Sequence, residues 1–414
     1  MIDVIVIGGG AGGMMAAYSA ASQGAKVLLV ERNEKLGKKI YITGKGRCNV
    51  TNLCDSKDFL QEVPRNSRFL YSAITAFSPE STIAYLEHHG CKVKVERGNR
   101  VFPISEKASD VTKALKSGLD DKKVEVRLHS RVKELMITDG KIKGILLTSG
   151  EKIEASSVII ATGGKSYPVT GSDGDGYLFA EQAGHKLHSP LPVLVPLTTD
   201  QSWPIELQGL SLKNVRLFGK KGKKIAFDKV GEMVFTHFGF SGPLVLTLSS
   251  SIQGEDLANW QFYLDFKPGL TPQQVENRLL RDFDAMPNKK LLTVMYGLLP
   301  QRLATVFLNE LDIEGESPVN QITKEQRNTI GQGLKNFSFP ISGFGDFNEA
   351  IVTRGGVHVK EISPGTMESK LVKGLFFAGE VMDVDGYTGG YNLQIAFSTG
   401  YLAGQGAAGY LTEK

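Results

Sequence analysis

The fold of this chain is decided by the segment Val4-Ile5-Val6-Ile7-Gly8-Gly9-Gly10-Ala11-Gly12-Gly13. An apolar strand leads into Gly8, Gly10 and Gly13, which fit the G-x-G-x-x-G pattern of a dinucleotide-binding turn. An Ala-rich helical stretch follows, and a second apolar strand ends at Glu31. In such a unit the helix N-terminus offers free N–H groups to a pyrophosphate, and the acid bonds ribose hydroxyls. The segment therefore predicts a βαβ unit that holds a dinucleotide.

Length and composition indicate a globular protein of two or three domains. The chain has 414 residues, which is more than one ordinary hydrophobic core accommodates. It has no apolar run of transmembrane length, and its start lacks the basic region and cleavage site of a signal peptide. We therefore expect a cytoplasmic protein with no membrane partner. The three cysteines form no C-x-x-C pair, so neither a metal site nor a dithiol is predicted.

The net charge of +4 is mild, and the densest basic run is Lys220-Lys221-Gly222-Lys223-Lys224. This run lies between two segments that alternate apolar and polar residues, and no aromatic residues interrupt it. We interpret it as the solvated tip of a hairpin rather than as a nucleic-acid patch. The partner expected from the sequence is a small-molecule substrate, and nucleic acid is not expected. The oligomeric state is not predicted.

Three kinds of sequence pattern follow one another along the chain. The βαβ opening and a later buried strand at residues 157–160 predict a doubly wound α/β domain, and the tail returns to the same α/β pattern from about residue 358. Short alternating strands fill the middle, and two helix starts with capping boxes interrupt them at Thr271 and Thr323. We therefore predict a nucleotide domain at residues 1–190 and 358–414, a barrel-like β domain at 191–270 and 338–357, and a helical insert at 271–337.

The second glycine loop indicates which dinucleotide is bound. Only one G-x-G-x-x-G follows a strand, whereas an enzyme that stably binds both FAD and NAD(P) would show two. Near the C-terminus, Gly389-Gly390-Tyr391-Asn392 precedes a helix rich in small residues. A helix N-terminus at this point stabilises the negative charge of a reduced flavin ring. The chain therefore favours FAD over NAD.

These motifs together resemble a bacterial flavoprotein family that includes aminoacetone oxidases and bile-acid 4,6-reductase-like enzymes. The resemblance covers essentially the whole chain. The motifs that carry it include Gly8–Gly13, Gly46-Arg47-Cys48-Asn49, Ala161-Thr162-Gly163-Gly164, Phe235–Pro243, Thr353–Val357, Thr366–Lys370 and Gly389-Gly390-Tyr391-Asn392. It implies non-covalent FAD, a glutathione-reductase-like FAD-binding domain, a β-barrel insert and a helical insert.

The resemblance also assigns cofactor contacts by position. For the pyrophosphate these are Gly8, Gly10, Ala11 and Gly12, and for the adenosine ribose Glu31 and Arg32. Around adenine and the adenosine side they are Val132, Ala161, Thr162 and Gly163. Along the flavin and its ribityl chain they are Lys39, Thr43, Gly44, Gly46, Arg47, Cys48, Gly379 and Glu380, and at the pyrimidine ring Gly390, Tyr391 and Asn392.

Four residues are candidates for the catalytic role, and each has a structural alternative. Arg47 either binds an anionic substrate or forms an ion pair, and His237 is either a proton donor or a structural histidine. Arg354 is placed to orient a substrate, and Tyr387, in the glycine loop, to donate a proton. For Cys48 we favour packing over a redox thiol. No Ser-His-Asp, H-E-x-x-H or paired-carboxylate pattern is present.

The sequence therefore predicts an FAD-dependent oxidoreductase whose reaction is open. The first hypothesis is oxidation of a small amine or aminoketone with O2 as acceptor. The alternative is reduction of an enone-like C=C bond, with NAD(P)H as a transient donor. A third hypothesis is a flavin-bound protein associated with RNA, against which the mild charge argues.

Overall fold

The computed structural model describes residues 2–412, which form two compact units. The first unit contains the residues up to Val193 and those from Asp346 onward, and the second unit is Leu194–Gly345. The chain thus returns to the first unit at Asp346, earlier than the boundary at residue 358 that we expected. The physical reason is a strand, Val352–Val357, that pairs with Leu187–Val193 inside the first unit.

The first unit is a mixed α/β structure. In its N-terminal part the strands are β1 (Val4–Ile7), β2 (Val27–Val30), β3 (Thr51–Asn52), β4 (Val93–Glu96), β5 (Arg100–Pro103), β6 (Glu125–Arg127), β7 (Val132–Thr138), β8 (Lys141–Leu147), β9 (Lys152–Glu154), β10 (Ser157–Ile160) and β11 (Leu187–Val193). The helices there are α1 (Ala11–Ser22), α2 (Ser56–Gln61), α3 (Tyr71–Ala76), α4 (Pro79–His88), α5 (Ala108–Asp121) and α6 (Asp175–Gln182).

The second unit begins with β12 (Leu197–Thr198). Its other strands are β13 (Ser211–Lys221), β14 (Lys224–Thr236), β15 (Gly239–Ser241), β16 (Trp260–Asp265), β17 (Phe337–Ser338) and β18 (Gly343–Phe344). Its helices are α7 (Trp203–Glu206), α8 (Pro243–Ile252), α9 (Pro272–Ala285), α10 (Leu291–Met295), α11 (Gln301–Glu310) and α12 (Lys324–Asn336). The chain then completes the first unit with β19 (Val352–Val357), β20 (Leu375–Phe377) and α13 (Tyr391–Thr412).

A five-stranded parallel sheet in the order β20-β10-β1-β2-β6 is the centre of the first unit. The residues of β1, β2 and β10 are buried along their whole length, as expected for parallel strands covered on both faces. Strand β20 comes from the tail and pairs with β10. The prediction that the tail completes the N-terminal sheet is therefore confirmed.

Helices α1 and α13 pack closely because small residues face each other. A Cβ atom at Gly400 would lie 2.2 Å from the carbonyl oxygen of Gly12, and one at Gly404 would lie 2.4 Å from that of Ala16. Only glycine permits this approach. The small-residue pattern of α13 thus fixes the last helix against the first, and their N-termini become the two helix starts of the site described below.

The second unit contains a seven-stranded sheet in the order β17-β16-β13-β14-β15-β12-β18 and a group of helices. Helices α9 and α12 each begin with the capping box that the sequence predicts, at Thr271 with Gln274 and at Thr323 with Gln326. No helix within residues 2–412 is both long and apolar enough to cross a membrane.

Candidate functional site

The first helix start has no side-chain cap. Gly10 caps α1 without a side-chain hydrogen bond, and no acidic residue lies in the first turn. A Cβ at Gly13 would lie 1.8 Å from the carbonyl oxygen of Gly8, and one at Gly8 would lie 2.7 Å from that of Ala161. A Cβ at Gly10 would meet nothing within 4 Å. Strand and helix therefore touch, while the first N–H groups of α1, including those of Ala11 and Gly12, are available to an anion.

Two charged groups stand beside this turn. Glu31 is buried, and its Oε2 accepts a hydrogen bond from the N–H of Gly9 at 2.7 Å. Its Oε1 accepts another from the N–H of Asn33 at 2.8 Å. Arg32 forms ion pairs with Asp173 and Asp175. The predicted ribose side is thus an ordered polar cluster in which the arginine charge is compensated.

The loop after β10 contacts the glycine turn from the other side. The Cα of Thr162 would lie 3.0 Å from a Cβ on Gly8, and Gly163 has a φ of +76°. The Oγ1 of Thr162 is buried and has no hydrogen-bond partner. Val132 begins β7, directly after Arg131, which joins Arg32 in binding Asp175. The predicted adenosine-side residues therefore come together around the start of α1.

Lys39 and Glu380, both predicted ribityl contacts, form one network. The Nζ of Lys39 donates to Glu380 Oε2 and to Ser166 Oγ, both at 2.6 Å. Glu380 Oε1 accepts from Ser166 Oγ and from the N–H of Thr353, both at 2.7 Å. Burial raises the pKa of Glu380, but the Lys39 charge and these hydrogen bonds outweigh it and hold that pKa below its ordinary value. The carboxylate next to Gly379 is therefore ionised and fixed.

The glycine-rich stretch after β2 forms a kinked 3₁₀ segment, Ile40–Gly46, that contains Thr43, Gly44 and Gly46. Cys48 follows it and is fully buried, and burial raises the pKa of its thiol to about 12. Such a thiol stays protonated and is a poor nucleophile, which supports the packing role.

Arg47 shows the structural alternative that we considered for it. Its guanidinium pairs with Glu96 and Glu106, both at 2.6 Å, and lies 4.2 Å from the ring centroid of Phe102. Two carboxylates already compensate this charge. The geometry therefore assigns Arg47 to an ion-pair network, and it gives no sign of a catalytic role.

The second helix start, that of α13, is assembled from distant segments. Gly390 has a φ of +103°, and a Cβ there would lie 2.4 Å from the carbonyl group of Thr51. Asn49 Oδ1 and Thr51 Oγ1 are buried here without partners. Asn392 holds the preceding loop against the start of α13, because its Oδ1 accepts a hydrogen bond from the N–H of Gly386 at 2.8 Å. The ring of Tyr391 packs edge-on against Phe59 at 5.2 Å.

Two of the four catalytic candidates lie beside this second start. Arg354 is 8% exposed and binds Asp385 through Nη2 at 2.9 Å. Asp385 directly precedes Gly386, and the N–H of Tyr387 donates to the backbone carbonyl oxygen of Glu62 at 2.9 Å. His237 lies in the second unit, in the turn between β14 and β15, where it is exposed. The structure thus groups Arg354 and Tyr387, whereas Arg47 lies in its own ion-pair network.

The sequence analysis missed a further polar group near this loop. Asp383 is 1% exposed, and its Oδ1 has no partner. Asn66 donates to the Asp383 carbonyl at 2.7 Å, and His188 Nε2 lies 3.7 Å from Asp383 Oδ2. His188 and His358 join their rings by a hydrogen bond of 2.8 Å. The signal available in the sequence was the pair Asp383 and Asp385, which interrupt an apolar run shortly after Gly379.

The residues present fit FAD. An uncapped helix start free of acids suits a pyrophosphate, and buried polar atoms without partners lie at both loops where the cofactor's polar rings are expected. Those atoms are Thr162 Oγ1 on the adenosine side and Asn49 Oδ1 with Thr51 Oγ1 on the flavin side. Across residues 2–412, no three His, Cys, Asp or Glu side chains are grouped to hold a metal ion.

Known proteins resemble this chain over nearly its whole length. The sequence model of the HI0933-like protein Rossmann domain matches residues 2–406. The chain is 33% identical over 412 residues to the 3-dehydro-bile acid delta(4,6)-reductase of Clostridium scindens, covering 97% of this chain and 98% of that one. It is 32% identical over 403 residues to the ribosomal RNA dihydrouridine synthase of Haemophilus influenzae, covering 96% of each.

A solved structure shares the fold. The open conformation of a flavocytochrome c3 fumarate reductase matches with a TM-score of 0.53 and 18% identity, over 99% of this chain and 78% of that one. At this identity the likeness concerns the fold alone. It confirms the flavoprotein α/β architecture that the sequence predicts.

Proposed function

Because the chain belongs to the HI0933-like family of FAD-binding Rossmann proteins and is an FAD-dependent oxidoreductase, we propose that it reduces a carbon–carbon double bond conjugated to a carbonyl group. The names of the two relatives describe this one bond chemistry. A 3-dehydro bile acid with Δ4,6 unsaturation has C=C bonds conjugated to its C3 ketone, and uridine has a C5=C6 bond conjugated to its C4 carbonyl.

The observation that carries the proposal within the site is the buried cation beside the second helix start. Reduction of such a bond places negative charge on the carbonyl oxygen as hydride arrives at the far carbon. The Arg354 guanidinium, held by Asp385, keeps positive charge in a desolvated position where it stabilises that oxygen. Bound FAD supplies the hydride.

The other groups bind the cofactor or move a proton. The N–H groups at the start of α1 bind the pyrophosphate, and those at the start of α13 stabilise the charged flavin ring. The Lys39–Glu380 pair fixes the segment after β20. Tyr387, in the loop that leads into α13, is our candidate donor of the proton to the carbon next to the carbonyl.

Of the two substrate classes, we rank a uracil base in ribosomal RNA first and a steroidal dienone second. Identities of 32% and 33% do not separate them. In the described part of the second unit, however, Lys220, Lys223 and Lys224 lie at one hairpin end without an ion pair to a carboxylate, which suits a polyanion better than the single carboxylate of a bile acid. Amine oxidation with O2, the first hypothesis from the sequence, ranks below both, because neither relative's name describes an amine.

The test is an acceptor competition with the reduced holoenzyme under anaerobic conditions. We expect a protein-free ribosomal RNA transcript, from either the large or the small subunit, to reoxidise the flavin and to gain dihydrouridine, measured by mass spectrometry of its nucleosides. Reoxidation by a 3-oxo-4,6-diene bile acid and not by RNA would assign the steroid. Failure of both acceptors, together with reduction of the oxidised enzyme by aminoacetone, would overturn the proposal in favour of the oxidase.

The electron donor is tested separately. We propose NADH or NADPH as a transient donor, because no second dinucleotide fingerprint is present to hold one permanently. Anaerobic addition of each nucleotide should bleach the flavin absorbance. An unchanged spectrum with both would exclude this donor and leave the acceptor proposal in place.

A further inference from the structure

The long hairpin of β13 and β14 ends in a cluster of lysines that we term the cationic tip: Lys220, Lys223 and Lys224. Lys223 and Lys224 are exposed, and Lys220 is half-buried. In the part of the chain that the structure describes, none of the three forms an ion pair with a carboxylate. Three uncompensated charges thus lie within five residues.

Elsewhere in the second unit, many cations are paired. Lys221, inside the same run, pairs with Glu255 at 2.6 Å, and Arg216 on the same strand binds both oxygens of Asp228 at 2.7 Å. Lys335 pairs with the buried Asp265. Because these charges are cancelled locally, the field of this sheet is strongest at the cationic tip.

The structure also brings aromatic rings to the tip, which the sequence order conceals. Phe218 and Tyr263 pair in register across β13 and β16, and their rings stack at 5.3 Å with an interplanar angle of 22°. Lys220 Nζ lies 5.1 Å from the centroid of the Tyr263 ring. Cross-strand partners share a face, so the half-buried Tyr263 ring and Lys220 lie on one surface, and the buried Phe218 ring, which is 2% exposed, stacks against Tyr263.

The same face carries exposed apolar side chains. Ile225 pairs with Lys220 and is 43% exposed, and Val230 pairs with Arg216 and is 57% exposed. Phosphate-binding cations that stand over rings and apolar side chains are typical of surfaces that hold single-stranded nucleic acid. An acidic peptide needs only the cations, and the vesicle measurement below separates RNA from an anionic membrane surface, at which tyrosine is also common.

We propose that this face of β13, β14 and β16, with the cationic tip, docks a single-stranded segment of the ribosomal RNA substrate. The lysines contact phosphates, and the ring of Tyr263 contacts a base. This inference rests on the proposed function for the identity of the RNA, but the binding experiment below does not depend on turnover.

The experiment measures binding of protein-free ribosomal RNA transcripts, one for each ribosomal subunit, to the holoenzyme across a salt series. The test variant carries Lys220→Gln, Lys223→Gln and Lys224→Gln. The matched control carries Lys57→Gln, Lys143→Gln and Lys152→Gln, three exposed lysines of the first unit without ion pairs. Both variants lose the same net charge, and FAD content and thermal unfolding verify that both are folded.

We expect the test variant to bind RNA at least tenfold more weakly than the control, and its salt slope to fall by about 2, since each single-strand phosphate contact contributes about 0.7. Tyr263→Leu should weaken binding about fivefold without changing the slope, because stacking releases no counterions. Equal binding by test and control variants would overturn the proposal, as would a wild type that binds no RNA.

Three further outcomes separate this inference from the proposed function. RNA binding that depends on the cationic tip, without dihydrouridine formation, would support the docking face and contradict the proposed reaction. Dihydrouridine formation at wild-type kcat/KM by the test variant would support the reaction and contradict the docking face. Loss of binding to phosphatidylglycerol vesicles alone, with RNA binding intact, would reassign the lysines to a membrane surface.

Discussion

The N-termini of α1 and α13 in the first unit both suit a part of the cofactor, but they are built from different kinds of contact. The start of α1 is shaped by close backbone contacts within the turn and with Ala161 and Thr162, and one side chain, that of Glu31, accepts from the N–H of Gly9. The start of α13 depends on Thr51 and Asn49, more than three hundred residues earlier in the chain, and on the loop that contains Asp385. The first offers N–H groups that suit any pyrophosphate. The second contains side chains, and we propose that these distinguish one cofactor ring and one substrate from another.

Of the variants that test this comparison, the largest loss of stability is expected when a charge is removed at the start of α13. Asp385→Asn removes the carboxylate charge that pairs with the buried Arg354 guanidinium, which we expect to lower the free energy of unfolding by about 3–5 kcal/mol. Urea denaturation measures the loss. The double variant with Arg354→Met should lose less than the two single variants together. A midpoint equal to wild type for Asp385→Asn would show that the pair is not a coupled unit.

At the first start the largest effect is steric. Gly13→Ala forces a methyl group to within 1.8 Å of the Gly8 carbonyl oxygen, so helix and strand must separate, at a cost of about 1–3 kcal/mol. We expect a lower thermal midpoint even without FAD. If the FAD-free variant unfolds as the wild type does, the close backbone contact is not what holds this turn.

Gly10→Ala separates cofactor binding from folding at the same turn. Its methyl group meets nothing within 4 Å, so the FAD-free protein should unfold within about 0.5 kcal/mol of wild type. The open space is where a pyrophosphate approaches the backbone, so FAD should bind about tenfold more weakly or worse. Titration of the apoprotein with FAD measures this, and unchanged affinity would place the pyrophosphate elsewhere.

The contrast between the two starts also explains what the sequence could predict. The turn at Gly8, Gly10 and Gly13 could be predicted from the sequence, because every residue that shapes it is local or lies at the end of a parallel strand. The pairing of Arg354 with Asp385 could not be predicted, because it requires strand β19 to lie beside the loop after β20. The stacking of Phe218 on Tyr263 was hidden for the same reason, since register between β13 and β16 sets it.

A smaller effect is expected from Thr51→Val at the second start. This change removes a buried hydroxyl without a partner, so the FAD-free protein should be unchanged or more stable by up to about 1 kcal/mol. FAD affinity should fall if the hydroxyl bonds the flavin, and Thr51→Ser should restore it. Equal FAD binding by the Val and Ser variants would remove Thr51 from the cofactor site.

The smallest effect is expected outside both starts. Arg47→Gln disrupts an ion-pair network with Glu96 and Glu106, and we expect FAD content and kcat to stay within error of wild type. A large fall in kcat with normal FAD content would restore the catalytic role that we considered for Arg47 from the sequence.

The pairing of β11 with β19 has a consequence for protein engineering. It pairs Val193, the last residue before the second unit, with Val352, which lies six residues after the chain re-enters the first unit at Asp346. A short peptide that joins Val193 to Asp346 should replace the whole of Leu194–Gly345 without distorting strand β11 or strand β19. The second unit is thereby an exchangeable cassette, and a foreign domain with adjacent termini could be grafted there while the FAD site keeps its own scaffold.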